Sequence, residues 1–271
     1  MTENEFSLRF KWLYPYLEET GRKLRLLHRN KNFSVKRKYD GSNVTNIDEE
    51  MSLYWIDLLS RAFPGEAIVT EEYEPSHQYH SHSDLVWYVD PIDGTGKFIE
   101  GSPNYFVLIS LCIHGVAGFG ILYQPERNCV LYGSTFHSAR LYTTIHHYRE
   151  MIRKVSWRQQ MPLVVKGAQP LLRSRLEAVT HLPVRRTSSA VHNIIGPLSG
   201  PSSGFVSFRK NAYWDLAAPA AIMESAGFRT GIFSSGEPTL FNDGKVHCDR
   251  FYCLPPDTPE EVIEYVTSVT I

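Results

Sequence analysis

Phe6, Phe10, Leu13, Leu17, Leu24 and Leu27 recur at steps of three, four and seven residues, the spacing of one helix face, with Pro15 marking a start or a kink. Phe33 and Val35 read as a short strand ending in the turn Asp40-Gly41-Ser42. Ile47, Met51, Tyr54, Trp55, Leu58, Leu59 and Ala62 then share one face of a second amphipathic helix, which Pro64-Gly65 stops. Ala67-Ile68-Val69 predicts a buried strand delivering Glu71 and Glu72, and the polar stretch from His77 to Asp84 predicts a loop. Leu85 to Val89 is an apolar run bounded like a buried strand.

After Thr95 the apolar stretches Tyr105 to Ile113, Val116 to Tyr123 and Val130 to Tyr132 predict consecutive antiparallel strands, with a turn at Gln124-Pro125-Glu126. From Thr143 to Gln160 the chain is polar and basic, which suits a passage between two halves. Beyond it the period changes. Leu163-Val164-Val165 is a strand, Leu171 to Val179 a helix, Ser188 to Ile195 another helix, Gly204 to Phe208 a strand, and Asp215 to Ala226 a helix. Alternation of that kind predicts an α/β second half, so the expected division is an α+β unit over 1–155 and an α/β unit over 156–271. The last helix contains Pro219, poorly tolerated beyond a first turn, which places its start near Asp215 with that carboxylate as the N-cap.

Composition narrows the function classes. The chain has 28 Lys plus Arg against 29 Asp plus Glu, so no global basic field points to nucleic acid. No apolar run approaches the roughly 20 residues of a spanning helix, and residues 1–30 lack the apolar core of a signal peptide. Cys112, Cys129, Cys248 and Cys253 form no CxxC pair, which fits free thiols in a reducing cytoplasm and leaves a Cys248–Cys253 bridge as the exception to test.

The chemistry concentrates in Trp87-Tyr88-Val89-Asp90-Pro91-Ile92-Asp93-Gly94-Thr95. A buried strand that ends in two carboxylates needs a cation, and hard oxygen donors favour Mg²⁺ or a similar ion. Gly94-Thr95 then offers backbone N–H groups and a hydroxyl to an anion beside the metal. Carboxylates, metal and a phosphate cradle together point to phosphoester hydrolysis. His77, His80 and His82 lack a fourth ligand at sensible spacing for zinc and read as solvated. Ser188 and Ser189 sit in no Gly-x-Ser-x-Gly elbow, which leaves them helix capping and backbone contact with substrate rather than nucleophilic attack.

Three separated motifs, Glu71-Glu72, Asp90-Pro91-Ile92-Asp93-Gly94-Thr95 and Trp214-Asp215-Leu216-Ala217-Ala218 continuing to Ala226-Gly227, resemble those of the inositol monophosphatase superfamily of metal-dependent, typically lithium-sensitive phosphatases. The resemblance spans most of the chain and implies a layered αβαβα sandwich. It implies metal ligation by Glu71, Asp90, the Ile92 carbonyl, Asp93 and Asp215, with two or three Mg²⁺ ions and Mn²⁺ as a substitute. It further implies a catalytic role for Glu71 and Thr95, which hold and deprotonate a water, and substrate contacts from Asp93, Gly94, Thr95, Ser188, Ser189, Arg209 and Asp215. Two ions about 3.5–4 Å apart would share Asp90. Many relatives are homodimers, and a small phosphorylated molecule is the expected partner.

Within that family, Lys38-Tyr39-Asp40-Gly41-Ser42-Asn43-Val44-Thr45-Asn46-Ile47-Asp48 is similar to the K-x-D-x-S-P-V-T-x-A-D stretch of the 3'(2'),5'-bisphosphate nucleotidase branch, with Asn43 for proline and Ile47 for alanine. That branch converts adenosine 3',5'-bisphosphate to AMP and phosphate. The resemblance brings Asp48 to the site as a catalytic residue, whereas Thr45 and Asp48 are equally spaced as a capping box for the following helix. Inositol-type enzymes usually carry an acid seven positions before the tryptophan-linked aspartate, where this chain has Phe208. Arg209 and Lys210, with Arg185 and Arg186, could neutralise a second phosphate or be solvated surface. The alternatives are an inositol or other sugar monophosphatase, and a metal-dependent binding protein that keeps the pocket without turnover.

Overall fold

A computed structural model describes residues 2–269 apart from 40, 79–82, 136, 144–147, 152–155, 158–160, 188 and 200–201. Asp40, His80, His82 and Ser188 therefore lie outside the described residues, as does much of the 143–160 stretch.

Helix α1 (Glu3–Asn30) starts from a capping box between Thr2 and Glu5 and buries Leu13, Leu17 and Leu24 completely. Pro15 lies inside it and marks neither end. Strands β1 (Val35–Arg37) and β2 (Asn43–Thr45) form a hairpin, the second too short and polar to register as a pattern. Helix α2 (Asn46–Ala62) buries Ile47, Met51, Trp55 and Leu59, as its periodicity predicts. Then come β3 (Ala67–Thr70), β4 (Leu85–Asp93), the short α3 (Thr95–Glu100), β5 (Phe106–Ile113), β6 (Val116–Gln124), β7 (Cys129–Ser134), β8 (His137–Thr143) and β9 (Tyr148–Met151). These strands make one seven-stranded sheet in sequence order, with β3 and β4 parallel and each later pair antiparallel. The expected linker from Thr143 to Gln160 is thus corrected in part: Tyr148–Met151 is the sheet's edge strand. Its sequence, Tyr148-Arg149-Glu150-Met151, holds no apolar run, and so the strand carries no apolar signature.

The remaining elements are β10 (Leu163–Lys166), α4 (Pro170–Thr180), β11 (Val184–Thr187), α5 (Val191–Ile194), α6 (Gly196–Ser199), β12 (Gly204–Ser207), β13 (Asn211–Ala212), α7 (Tyr213–Ser225), β14 (Arg229–Ser234), β15 (Glu237–Pro238), β16 (His247–Cys248), β17 (Arg250–Leu254) and α8 (Glu260–Ser268). The order in the six-stranded sheet is β11-β10-β12-β17-β14-β15. Strand β10 is parallel to both neighbours, while the β12–β17, β17–β14 and β14–β15 pairs are antiparallel.

Five layers result. Helices α1 and α2 cover one face of the seven-stranded sheet through Trp55, Trp87, Val89, Ile109 and Phe119. Helix α7 lies between the two sheets, sharing a cluster with Tyr88 and Leu108 on one side and Phe205 and Phe251 on the other. Helices α4 and α8 close the far side through Leu176, Val262 and Val266. The structure is the αβαβα sandwich that the motifs imply. Helix α7 approaches the sheet closely because Gly120 and Gly133 stand opposite each other on β6 and β7. A Cβ at Gly120 would lie 2.2 Å from the Ala218 carbonyl oxygen, and one at Gly133 would lie 2.9 Å from the Ile222 Cα. Among the described residues no helix is long and apolar enough to cross a membrane, and all four cysteines are free.

Candidate active site

A strand alternates faces, so Asp90 and Asp93, three residues apart, would ordinarily point to opposite sides of β4. They do not, because the ladder slips here. Asp90 pairs with Leu108 and Asp93 with Phe106, so β4 carries one residue more than β5 between the two pairs. Proline at 91 suits the bulge, having no N–H to give to the ladder. Both carboxylates consequently face α7, while Ile92 packs on the opposite side with α1 and α2.

Asp215 arrives from α7. The expected N-cap role is corrected: the helix begins at Tyr213, Ala212 is the cap residue, and Asp215 is the third residue of the first turn. Pro219 lies inside the helix. Its missing N–H leaves the Asp215 carbonyl without a helical donor, but the apolar burial of the surrounding alanines keeps the helix continuous. Ligand atoms of Asp90, Asp93 and Asp215 all lie within 4.8 Å of one another.

These three acids repel each other in a poorly hydrated place. Burial first, then the Glu71 charge and the neighbouring aspartates, hold the Asp90 and Asp215 carboxyls well above the usual carboxylate range. Burial and Glu71 push Asp93 up to about 7, with Lys166 opposing. An all-oxygen, like-charged donor set of this kind fits a hard divalent cation. Glu71 stands at the end of β3, its side chain paired with the Lys38 ammonium at 2.7 Å, and Lys38 reaches Glu72 as well. The β1–β2 hairpin thereby rests on the acid side of the site. Glu72 is pushed up to about 8, by burial first and then by Glu71.

Thr95 opens α3 behind Gly94, whose φ of 87° is left-handed. A Cβ on Gly94 would also stand 3.3 Å from the Asn104 carbonyl oxygen, a tight contact on top of the left-handed φ that favours glycine. The Thr95 Oγ1 lies 2.9 Å from Asp48 Oδ1 and 3.1 Å from the Ile92 carbonyl oxygen, and its single proton serves one of them at a time. Asp48 forms the capping box and also reaches Thr95. Its Oδ2 accepts the Thr45 backbone N–H and hydroxyl in a complete capping box, while its Oδ1 reaches Thr95. Burial raises the Asp48 carboxyl above its ordinary value, against the hydrogen bonds from Thr45 and Thr95.

A cleft of about 430 Å³ opens over the acids, lined by Asp93, Gly94, Lys97, Lys166, Ser189 and Asp215, with Asn104, Phe106 and His192 also on its walls. The residues that sequence reasoning did not single out are Lys166 and Lys38. Lys166 follows the apolar run Leu163-Val164-Val165 at the carboxyl end of a parallel strand, the end where open α/β sheets bind ligands. Lys38 was visible in its motif but had no reason to be placed against Glu71 before the hairpin was known.

Other expected residues are not brought in. Arg209 is exposed and its side chain lies across Gly167, outside the cleft lining. Arg185, Arg186 and Lys210 are exposed. Phe208 is buried in the cluster with Leu163 and Val206, beneath the Arg250 guanidinium, so position 208 does not face the cleft. His77 is half-buried: one ring face stacks on Trp214 with centroids 5.0 Å apart, while the residue still lines an open cavity.

The profile of the inositol monophosphatase family matches residues 15–270. The chain is 27% identical to Nus factor SuhB of Salmonella typhimurium over 75% of its length and 77% of the relative's. It is also 27% identical to the fructose-1,6-bisphosphatase/inositol-1-monophosphatase of Thermotoga maritima, over 88% of this chain and 93% of that one. The structure of CysQ from Bacteroides thetaiotaomicron superposes with a TM-score of 0.68 at 19% identity, covering 88% of this chain and 94% of that one, a likeness of fold.

Proposed function

The chain belongs to the inositol monophosphatase family and is a phosphatase of that family, and from that premise we propose a Mg²⁺-dependent phosphomonoesterase whose substrate carries a second anionic group, adenosine 3',5'-bisphosphate first among the candidates. The observation that supports this most is the convergence of Asp90, Asp93 and Asp215 at a cleft whose wall carries Lys166. Asp90, Asp93, Asp215, Glu71 and the Ile92 carbonyl are the groups that would hold the ions. The chemistry supplied by bound ions is neutralisation of phosphate charge and acidification of water.

The chain's own residues do the rest. The first N–H groups of α3, at Thr95 and Gly96, have no helical acceptor and would be available to donate to phosphate oxygens. Asp48 accepts the Thr95 hydroxyl proton, which leaves the Thr95 oxygen to accept a hydrogen bond from the attacking water and orient it. A carboxylate whose proton affinity is raised by burial is a better terminus for the proton that water gives up through Thr95. Glu71, held by Lys38, is the second acceptor. Replacing Thr95 with Ala should therefore lower kcat by about 10²-fold or more while leaving Mg²⁺ affinity within a few-fold. Steady-state kinetics beside calorimetric Mg²⁺ titration checks both parts, and a near-normal kcat would remove Thr95 from the reaction.

Lys166 supports the second anionic group, since a half-buried ammonium on a cleft wall favours phosphate over a neutral polyol hydroxyl. A sugar phosphate is the other reading, favoured by the Thermotoga maritima relative. Phosphate release from adenosine 3',5'-bisphosphate, fructose 1,6-bisphosphate and inositol 1-phosphate separates them. The nucleotide should be preferred, and Lys166→Met should cut kcat/KM for it by about tenfold or more, the worth of one charged hydrogen bond. Preference for inositol 1-phosphate would overturn the substrate reading and keep the mechanism. Silence on all three with Mg²⁺ bound would favour a binding protein.

A further inference from the structure

We propose that His77 is a positioning residue that sets the separation between the two arms of the metal site, the end of β3 carrying Glu71 and the first turn of α7 carrying Asp215. The inference rests on the reading above that these carboxylates hold the ion.

His77 packs at an open edge of the seven-stranded sheet. Strand β3 is that edge and, among the described residues, pairs only with β4, in parallel. Alternate residues of a parallel strand direct both backbone groups to the neighbour. The Glu71 N–H goes to the Val89 carbonyl at 3.3 Å, so both backbone groups of Thr70 point outward, away from the ladder. Thr70 is nevertheless fully buried, and buried backbone groups need partners.

The single-turn segment Glu74–Gln78 folds back and supplies them. Ser76 donates its hydroxyl to the Tyr73 carbonyl at 2.6 Å, which leaves its Oγ to accept the Thr70 N–H at 3.2 Å. His77 Nε2 lies 2.7 Å from the Thr70 carbonyl oxygen. A carbonyl only accepts, so Nε2 carries the proton and donates. The same imidazole stacks on the indole of Trp214, with ring centroids 5.0 Å apart and an interplanar angle of 27°. On a further side of Trp214, His247 makes an edge contact at 5.5 Å and 68°. His247 in turn pairs with Ala212, the residue from which α7 starts.

The geometry has one consequence for the site. Glu71 immediately follows Thr70, and Asp215 immediately follows Trp214. His77 grips the residue before each carboxylate, one through a hydrogen bond and one through a ring face. It is thus a strut between two ligands delivered by elements far apart in sequence. Outer contacts that orient metal ligands are worth about 10–100-fold in metal affinity when removed.

The test is calorimetric titration of the full chain with Mg²⁺ alone, without substrate, beside thermal melts in chelator. His77→Ala should weaken Mg²⁺ binding by about 10–100-fold. Its kcat at saturating Mg²⁺ should stay within about threefold of the parent, since His77 touches no reacting atom. His77→Gln keeps a donor for the Thr70 carbonyl, and His77→Phe keeps a ring on Trp214; each should recover part of the lost affinity. If the alanine variant does not fold, these two carry the test. Variants that melt earlier yet bind Mg²⁺ like the parent would make His77 a merely structural residue and overturn the proposal. A parent chain that binds no Mg²⁺ would instead overturn the metal reading itself, so the two failures are distinguishable.

Discussion

Asp90→Asn is expected to lower turnover by at least about 10³-fold while making the metal-free protein more stable than its parent. The side chain is 2% exposed and its negative charge is opposed by Glu71, Asp93 and Asp215. Asparagine has nearly the same shape and can still accept the Ile92 N–H that Asp90 Oδ1 takes at 2.9 Å. It removes one charge from a crowded acidic cluster, which relieves repulsion in the absence of cations. The same charge is needed when cations are present. A loss of several kcal/mol in charge stabilisation, at about 1.4 kcal/mol per tenfold, gives the stated fall in rate. Melting curves supply the second signature. Mg²⁺ at a hundred times its Kd should stabilise the parent by about 2.7 kcal/mol, a Tm rise of roughly 5–10 °C. That rise should vanish in the variant, whose melting point in chelator should exceed the parent's. A variant that keeps turnover within tenfold of normal would remove Asp90 from the centre of the site.

The second large effect lies far from any charge. Gly120→Val should lower stability by about 3 kcal/mol or more, since overpacking usually costs about 1–3 kcal/mol and here the obstacle is backbone. A Cβ at 120 would meet the Ala218 carbonyl oxygen at 2.2 Å and the Ala218 Cα at 2.9 Å, and neither can swing aside. Helix α7 must lift from β6. Because Asp215 is on that helix, one turn before Ala218, the lift also separates its carboxylate from Asp90 and Asp93. The variant should therefore melt roughly 6–12 °C lower and bind Mg²⁺ more weakly even where it remains folded. Unchanged melting would mean that the helix does not sit on the glycine pair as described.

Much of the site was legible because its signals are local. Asp90, Asp93 and Thr95 sit in one nonapeptide whose apolar run and acids are costly to combine without a cation. The helices α1, α2 and α7 were visible because burial of one face, or of all faces, writes a period of its own. Strands β8, β9 and β11 are not legible, since His137–Thr143, Tyr148–Met151 and Val184–Thr187 mix polar and charged residues without an apolar run. The start of α7 was misplaced by two residues because a proline argument assumes a solvated helix, whereas this one is packed on both sides.

By itself, then, the sequence determined which residue types could do metal-assisted phosphate chemistry and which segments would form the main helices and buried strands, because side-chain chemistry and periodicity are properties of a few consecutive residues. Only the tertiary structure decided that Asp90 and Asp93 share a face, since that depends on a bulge in the pairing of β4 with β5. It decided that Lys166 lines the cleft while Arg209 and Phe208 do not, and that Lys38 pairs with Glu71. It decided that His77 touches both Thr70 and Trp214. Each of these is a relation between residues brought together by sheet order and layer packing, and no local pattern encodes a distance between elements that are apart in the chain.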